Sequence, residues 1–192
     1  MKRRGAARQV VLHVALLDIA PLIWRRVRVP ETFSLHQLHR TFQVIFSWLD
    51  YHLYSFDIRN QSFEAPHEEA TGEDATAVSL VDLKLQIRDR FTYTYDFGDD
   101  WRHEVRVEEF LPMPGPSDPD WSPRLLAGAR AAPPEDAGGP FGYATMLEAL
   151  AQPDHPEHEE FRAWLPPDYD PAVFDRWALD HALSLATAWG AV

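Results

Sequence analysis

Cysteine is absent from this chain of 192 residues. That excludes disulfides, thiolate metal centres and cysteine nucleophiles. Lysine is nearly absent as well: only Lys2 and Lys84 occur, and arginine supplies the rest of the positive charge, a skew that fits a GC-rich bacterial genome. No apolar run approaches the ~20 residues that span a bilayer. The first segment, basic and then apolar, has the outline of a leader, but His13 and Asp18 interrupt it. A strand explains it better, so no membrane partner and a cytosolic location are expected. No Walker loop, dinucleotide glycine fingerprint, GxSxG elbow or HExxH pair occurs, so no motif implies a cofactor.

What the chain does contain is acid, proline and aromatic side chains. Its net charge is −12, with 12% aromatic and 45% hydrophobic residues, ample for a packed core. The acid is unevenly spread. Residues 1–30 carry Lys2, Arg3, Arg4, Arg8, Arg25, Arg26 and Arg28 against Asp18 alone. An acidic protein repels phosphate backbones, which disfavours broad nucleic-acid binding. Arg25, Arg26 and Arg28 form the one local stretch suited to such contact. The plain alternative is a basic terminus followed by a solvated strand face.

Periodicity points to an α+β domain. Gln9–Leu17 and Ile23–Val29 read as a strand pair, the second partly exposed or at an edge. Ser34 with Gln37 three residues on makes a capping box. Leu35, Leu38, Phe42, Ile45 and Leu49 then give one apolar helical face to lie on a sheet. Leu53–Arg59 reads as a strand, 63–77 as an acidic loop, and Leu80–Leu85 as a short helix or turn. Phe91–Tyr95 alternates strictly, and so does Trp101–Glu109. Asp96 to Asp100 joins them as a five-residue hairpin loop, with Gly98 available for a positive φ. Five prolines in the thirteen residues 111–123 make a stiff connection. Helices are expected beyond it at 143–150, from Asp154 and from Asp170–Pro171. The expected architecture is a mostly antiparallel sheet with one helix on a face and a C-terminal helical segment. Residues 1–110 form the sheet core, and 111–192 pack on that core within a single domain. The order hairpin, helix, strands is similar to a β-grasp arrangement.

Two stretches concentrate acids, glycines and aromatics: Tyr95-Asp96-Phe97-Gly98-Asp99-Asp100-Trp101-Arg102-His103 and Pro133-Pro134-Glu135-Asp136-Ala137-Gly138-Gly139-Pro140-Phe141-Gly142-Tyr143. Asp96-Phe97-Gly98 is no kinase signature here, because the glycine-rich phosphate cover, the strand lysine and the catalytic-loop aspartate and asparagine are all missing. One reading makes both stretches turn and core structure, with Asp side chains accepting backbone N–H bonds. A second folds them together into a binding groove. In it Asp96, Asp99 and Asp136 hold turns or bind a polar group, Trp101 and Tyr143 form walls, and His103 and Glu135 lie alongside. A third brings at least three of Asp96, Asp99, Asp100, His103, Glu135 and Asp136 together around a divalent cation, as a phosphoester hydrolase needs. His39, His52 and His103 are the imidazoles nearest the expected sheet. Turn and core structure is the reading these acids favour; as a function the groove leads, for an unknown protein or small polar ligand, with no metal or catalytic residue assigned.

Taken jointly, Ile23-Trp24-Arg25-Arg26-Val27, Leu38-His39, His52-Leu53, Tyr95–Asp99, Trp101 with His103, and the segment from Pro133 to Tyr143 resemble the plasmid pRiA4b ORF-3-like family. The resemblance runs over about residues 8–180. It implies an α+β domain of bacteria and archaea with no established activity. Some members are labelled passenger TnpR proteins of insertion elements, which implies a tie to a plasmid or mobile element. The supported serine nucleophile and helix-turn-helix of a serine resolvase are not found here. The resemblance also implies cysteines in many relatives around the Pro-Pro-Glu-Asp segment, with Leu125, Ala132 and Ala137 as counterparts, and a second histidine at the position of Tyr54. A metal site built from those residues is therefore not expected in this chain.

Overall fold

A computed structural model describes residues 8–115, 121–188, 190 and 192. Among these, eight strands form a single sheet: β1 Arg8–Leu16, β2 Trp24–Pro30, β3 Tyr54–Ile58, β4 Gln61–Glu64, β5 Glu73–Asp74, β6 Arg90–Tyr95, β7 Trp101–Pro112 and β8 Arg124–Ala129. Their order is β5-β4-β3-β6-β7-β1-β2-β8. Every pairing is antiparallel except β4 with β5. The helices are α1 Leu35–Phe46, α2 Leu80–Leu83, α3 Gly139–Ala151, α4 His158–Trp164 and α5 Arg176–Ala188. The architecture is α+β, as the periodicity predicts.

Helix α1 starts where the sequence says it should. The Ser34 hydroxyl accepts from Gln37 N, and the Gln37 side chain accepts from Ser34 N, which satisfies two orphan donors at once. The helix ends at Ser47, whose φ of 60° turns the chain left-handed. Leu35, Leu38, Phe42, Ile45 and Phe46 are buried. Leu49 lies beyond this end and is 63% exposed, so it does not extend that face. Phe42 and Phe46 meet the sheet surface that carries Tyr93, Phe56 and His103. In β6, Phe91, Tyr93 and Tyr95 are buried on this side, and in β7 so are Trp101, His103, Val105 and Val107. The alternation holds through β6 and from Trp101 to Val107, and a bulge opposite Val11 and Leu12 breaks it at Glu108 and Glu109.

Several expectations change, among them the starts of α3, at Gly139 rather than 143, and of α4, at His158 rather than Asp154. Strand β2 is not an edge, because β8 pairs with it from beyond the proline-rich stretch. The stretch read as a loop from 63 onward contains the end of β4 and the two-residue β5. Helix α5 begins at Arg176 rather than after Asp170. The Asp170 carboxylate closes a local turn onto Ala172 N, and Asp175 instead accepts from Ala178 N at the helix start. Helix α5 packs on β8 and α1, and the buried Asp180 anchors it by accepting Leu125 N at 2.8 Å and pairing with Arg124 at 2.8 Å. Lys2, Arg3 and Arg4 lie outside the described residues.

Candidate functional site

The β6–β7 hairpin loop is built around Asp96. Its backbone sits at φ 57°, and Asp100 closes the loop at φ 54°. Thus aspartates, not Gly98, adopt the left-handed conformation, which short polar side chains tolerate. Asp96 Oδ1 accepts from Gly98 N at 2.9 Å and from Asp99 N at 3.3 Å. Asp100 N donates to Asp96 O at 2.7 Å. One carboxylate oxygen therefore shapes the loop, while Oδ2 of this buried residue faces His52 Nε2 at 3.6 Å.

The 133–142 turn is tied to this loop and to the end of α1. Trp48 Nε1 donates to Pro133 O at 2.9 Å. Glu135 Oε1 accepts from Leu49 N at 2.9 Å and from the Tyr95 hydroxyl at 2.6 Å. Asp99 Oδ2 accepts from Gly138 N at 3.0 Å. Gly139, at φ 68°, passes so close that a Cβ there would lie 2.4 Å from Asp99 O. The two bends are in contact, and backbone approach at Gly139 makes the contact possible.

A third segment completes the recess. After Ser47 the chain turns again at Asp50, φ 62°, whose carboxylate binds His39 Nε2 at 2.7 Å and Arg40 at 2.6 Å. Tyr51 N donates to the Tyr95 hydroxyl at 3.1 Å. These bonds set His52 over the junction. Its Nε2 lies 3.1 Å from Asp136 Oδ1 and 3.6 Å from Asp96 Oδ2. Donor atoms of His52, Asp96 and Asp136 all fall within 4.8 Å of one another. His52 Nε2 is buried and lacks a hydrogen bond of proper geometry, although Asp136 is within ion-pair distance. The same three segments expose Tyr51 (71%), Phe97 (48%) and Phe141 (84%) to solvent.

A family profile described as plasmid pRiA4b ORF-3-like protein matches residues 8–178. The chain belongs to the plasmid pRiA4b ORF-3-like family. A relative named uncharacterized protein y4hQ, from Sinorhizobium fredii (strain NBRC 101917 / NGR234), is 38% identical over 186 residues, 94% of this chain and 93% of the relative. The fold is similar to the crystal structure of a protein of unknown function, MM3350, from Methanosarcina mazei Go1. That match has a TM-score of 0.79 at 34% identity and covers 89% of this chain and 97% of the other. These relatives establish family and fold and carry no named activity.

Of the residues expected to form a groove in this family member, only Asp96 and Asp136 meet beside His52. Asp99 and Glu135 are the fasteners just described. Trp101 and Tyr143 are each 1% exposed and belong to the core, so neither is a wall. Trp101 lies under Trp48, and the Tyr143 hydroxyl faces that of Tyr169. His103 is fully buried. Its Nδ1 donates toward Trp101 O and Tyr93 O, and burial drives its pKa down to about 3, so it is neutral and remote from solvent. Asp100 pairs with Arg102. Among the six groups weighed as cation ligands only two converge, and His52 supplies the third donor.

The basic stretch divides between the two faces of β2, with Arg26 and Arg28 on one and Arg25 on the other. Strand alternation sends Arg25 inward, where it is 1% exposed. Arg26 lies on the opposite face and binds Glu108 at 2.6 Å. No helix among the described residues is long and apolar enough to cross a membrane. Tyr54 stacks on His39 with ring centroids 3.7 Å apart, and Leu125 is buried in the core.

Proposed function

We infer that this protein is a non-enzymatic binding module that recognises a cationic group, presented by a protein partner or a small polar ligand, at the His52–Asp96–Asp136 recess. The carrying observation is the convergence of two carboxylates and an imidazole within 4.8 Å. Such a cluster attracts an ammonium or guanidinium group, and carboxylate-to-cation hydrogen bonds are the strong ones. The exposed Tyr51, Phe97 and Phe141 supply the aromatic surface that protein interfaces and cation contacts favour. The net charge of −12 favours approach of basic partners. The family name supports a plasmid or mobile-element setting for that partner.

The test is the double variant Asp96→Asn/Asp136→Asn. Asparagine keeps the acceptor that Asp96 uses to shape its loop, so charge is removed with the turn intact. Calorimetric titration with arginine- and lysine-containing peptides should show binding that weakens about tenfold or more in the variant. Equal affinity of the two forms for every peptide would end this reading.

One observation favours a second reading, a divalent-metal-dependent hydrolase of phosphoesters. His52 Nε2 is buried, has no properly aligned hydrogen bond, and points between two carboxylates, a donor set that suits a transition metal with open positions for water and substrate. Titration with manganese, magnesium and zinc separates the two readings. Absence of heat at millimolar metal removes the hydrolase and leaves the peptide-binding result standing alone.

A further inference from the structure

A second concavity lies on the other side of Glu135, between the end of α1, the segment after β8 and the approach to α5. It has a volume of about 440 Å³ and is walled by Phe46, Leu49, Val173, Phe174 and Leu179, with Arg25 among its lining residues. That size is typical of small-molecule sites.

Arg25 sets this cleft apart. Its guanidinium carbon lies 5.0 Å from the centroid of Phe46 and 4.7 Å from that of Phe174. Nε donates to Ile45 O at 2.8 Å, and Nη1 donates to Trp24 O and Ala129 O. Among the described residues Nη2 has no acceptor and no carboxylate pairs with this cation. Desolvation lowers its pKa to about 10, so it stays charged at neutral pH. A buried, unpaired cation is costly, and proteins supply such groups with a counter-charge.

The other charges at the cleft limit what that counter-charge is. Arg130 also lines it, but so do Glu135 and Asp175. Asp175 is engaged with Ala178 N, and Glu135 Oε1 with Leu49 N and the Tyr95 hydroxyl, while Glu135 Oε2 is buried and unbonded. Two acids at the margin oppose a multiply charged anion such as a phosphate. The walls are apolar. We propose that this cleft binds a small organic monocarboxylate, with the aliphatic or aromatic body against Phe46, Phe174 and Leu179 and the carboxylate on the Arg25 guanidinium. This site is separate from the His52 recess and does not depend on its function.

Titration of the whole chain with octanoate, octanol and octylamine tests the proposal. Octanoate should bind about tenfold or more tightly than the neutral and cationic analogues, the usual worth of one charged hydrogen bond. Arg25→Met should abolish that preference. Because Arg25 also bridges three carbonyls, that variant is paired with Ala178→Phe, which places a ring in the cleft from the exposed face of α5 and leaves Arg25 intact. Ala178→Phe should weaken octanoate at least about tenfold. Equal binding of octanoate and octanol by the unaltered chain, or octanoate binding undiminished in Ala178→Phe, would overturn the assignment.

Discussion

The Tyr95 hydroxyl donates to Glu135 Oε1 across 2.6 Å, joining the last residue of β6 to a turn forty positions later. The Tyr95 phenol oxygen itself accepts from Tyr51 N at 3.1 Å. One phenol therefore fastens three chain segments, each of which contributes one residue to the recess. Burial and the neighbouring carboxylate push its pKa well above the usual phenol value, so the proton stays in place for donation.

Tyr95→Phe should accordingly cost more than an isolated hydrogen bond. It leaves the Glu135 carboxylate, whose Oε2 is already unbonded, with only Leu49 N. The expected loss is about 1–3 kcal/mol by urea denaturation. Peptide binding at the recess should weaken by more than the stability loss alone explains, because His52 and Asp136 lose their common brace. Unchanged stability would show that the phenol is not the fastener.

How much of this was legible in the sequence differs from element to element. Ser34 and Gln37 announce α1, and the alternating aromatics announce β6 and β7, because local chemistry alone decides those features. Strand β8, Arg124–Ala129, has no such signal. Its Ala-Gly-Ala end has little strand preference, and pairing with β2 imposes the conformation. Gly128 is needed there because a Cβ would meet the Phe174 ring at 2.5 Å, a contact set by tertiary structure. The meeting of the Asp96 and Asp136 bends was foreseeable from their shared composition. The burial of Trp101 was not, since strand alternation assigns it a face but does not say that Trp48 covers it. His52 was readable as an imidazole near the sheet. Its place between the two carboxylates depends on left-handed Ser47 and Asp50, and no nearby motif marks those.

Gly139→Ala tests the backbone contact that closes the recess. A Cβ would lie 2.4 Å from Asp99 O, and φ of 68° is unfavourable for alanine. The turn must move away from the hairpin loop, breaking the Gly138 N to Asp99 bond. A loss of about 1–3 kcal/mol is expected in thermal unfolding. Asp99→Ala removes the same bond without the clash and should cost less. If Asp99→Ala proves the more damaging of the two, close packing at Gly139 is not what holds the bends together.

Asp180 makes the link between α5 and β8 testable. Its carboxylate, 4% exposed, serves both Arg124 and Leu125 N. Asp180→Ala leaves a buried donor unmet and the Arg124 charge without its partner. The expected destabilisation is about 1–3 kcal/mol, with faster amide exchange in α5 than in β6 or β7. Uniform exchange across all three elements would show that α5 does not loosen by itself.

His103 gives the fold a specific pH dependence. In the unfolded chain its imidazole takes a proton below about pH 6.5. In the fold, burial holds its pKa near 3, so the folded state stays neutral through that interval. The unfolded state then binds more protons, and stability falls as pH drops from about 6.5 toward 3, by up to about 1.4 kcal/mol per pH unit for this group. His39 adds in the same direction, because desolvation outweighs its bonded Asp50 and lowers its pKa. Asp50, held below the usual carboxylate range mainly by its bond to His39 against the opposing effect of burial, contributes stability that is present above about pH 3.8 and lost only beneath it, so it does not mask the histidine window. Urea unfolding at pH 6.5, 5.5 and 4.5 should therefore show a steady decline in the unaltered protein. In His103→Leu the slope should shrink by close to one proton, whatever that variant's absolute stability. An identical slope in both would overturn this account of His103, whose ring packs among Phe46, Trp48 and Tyr93.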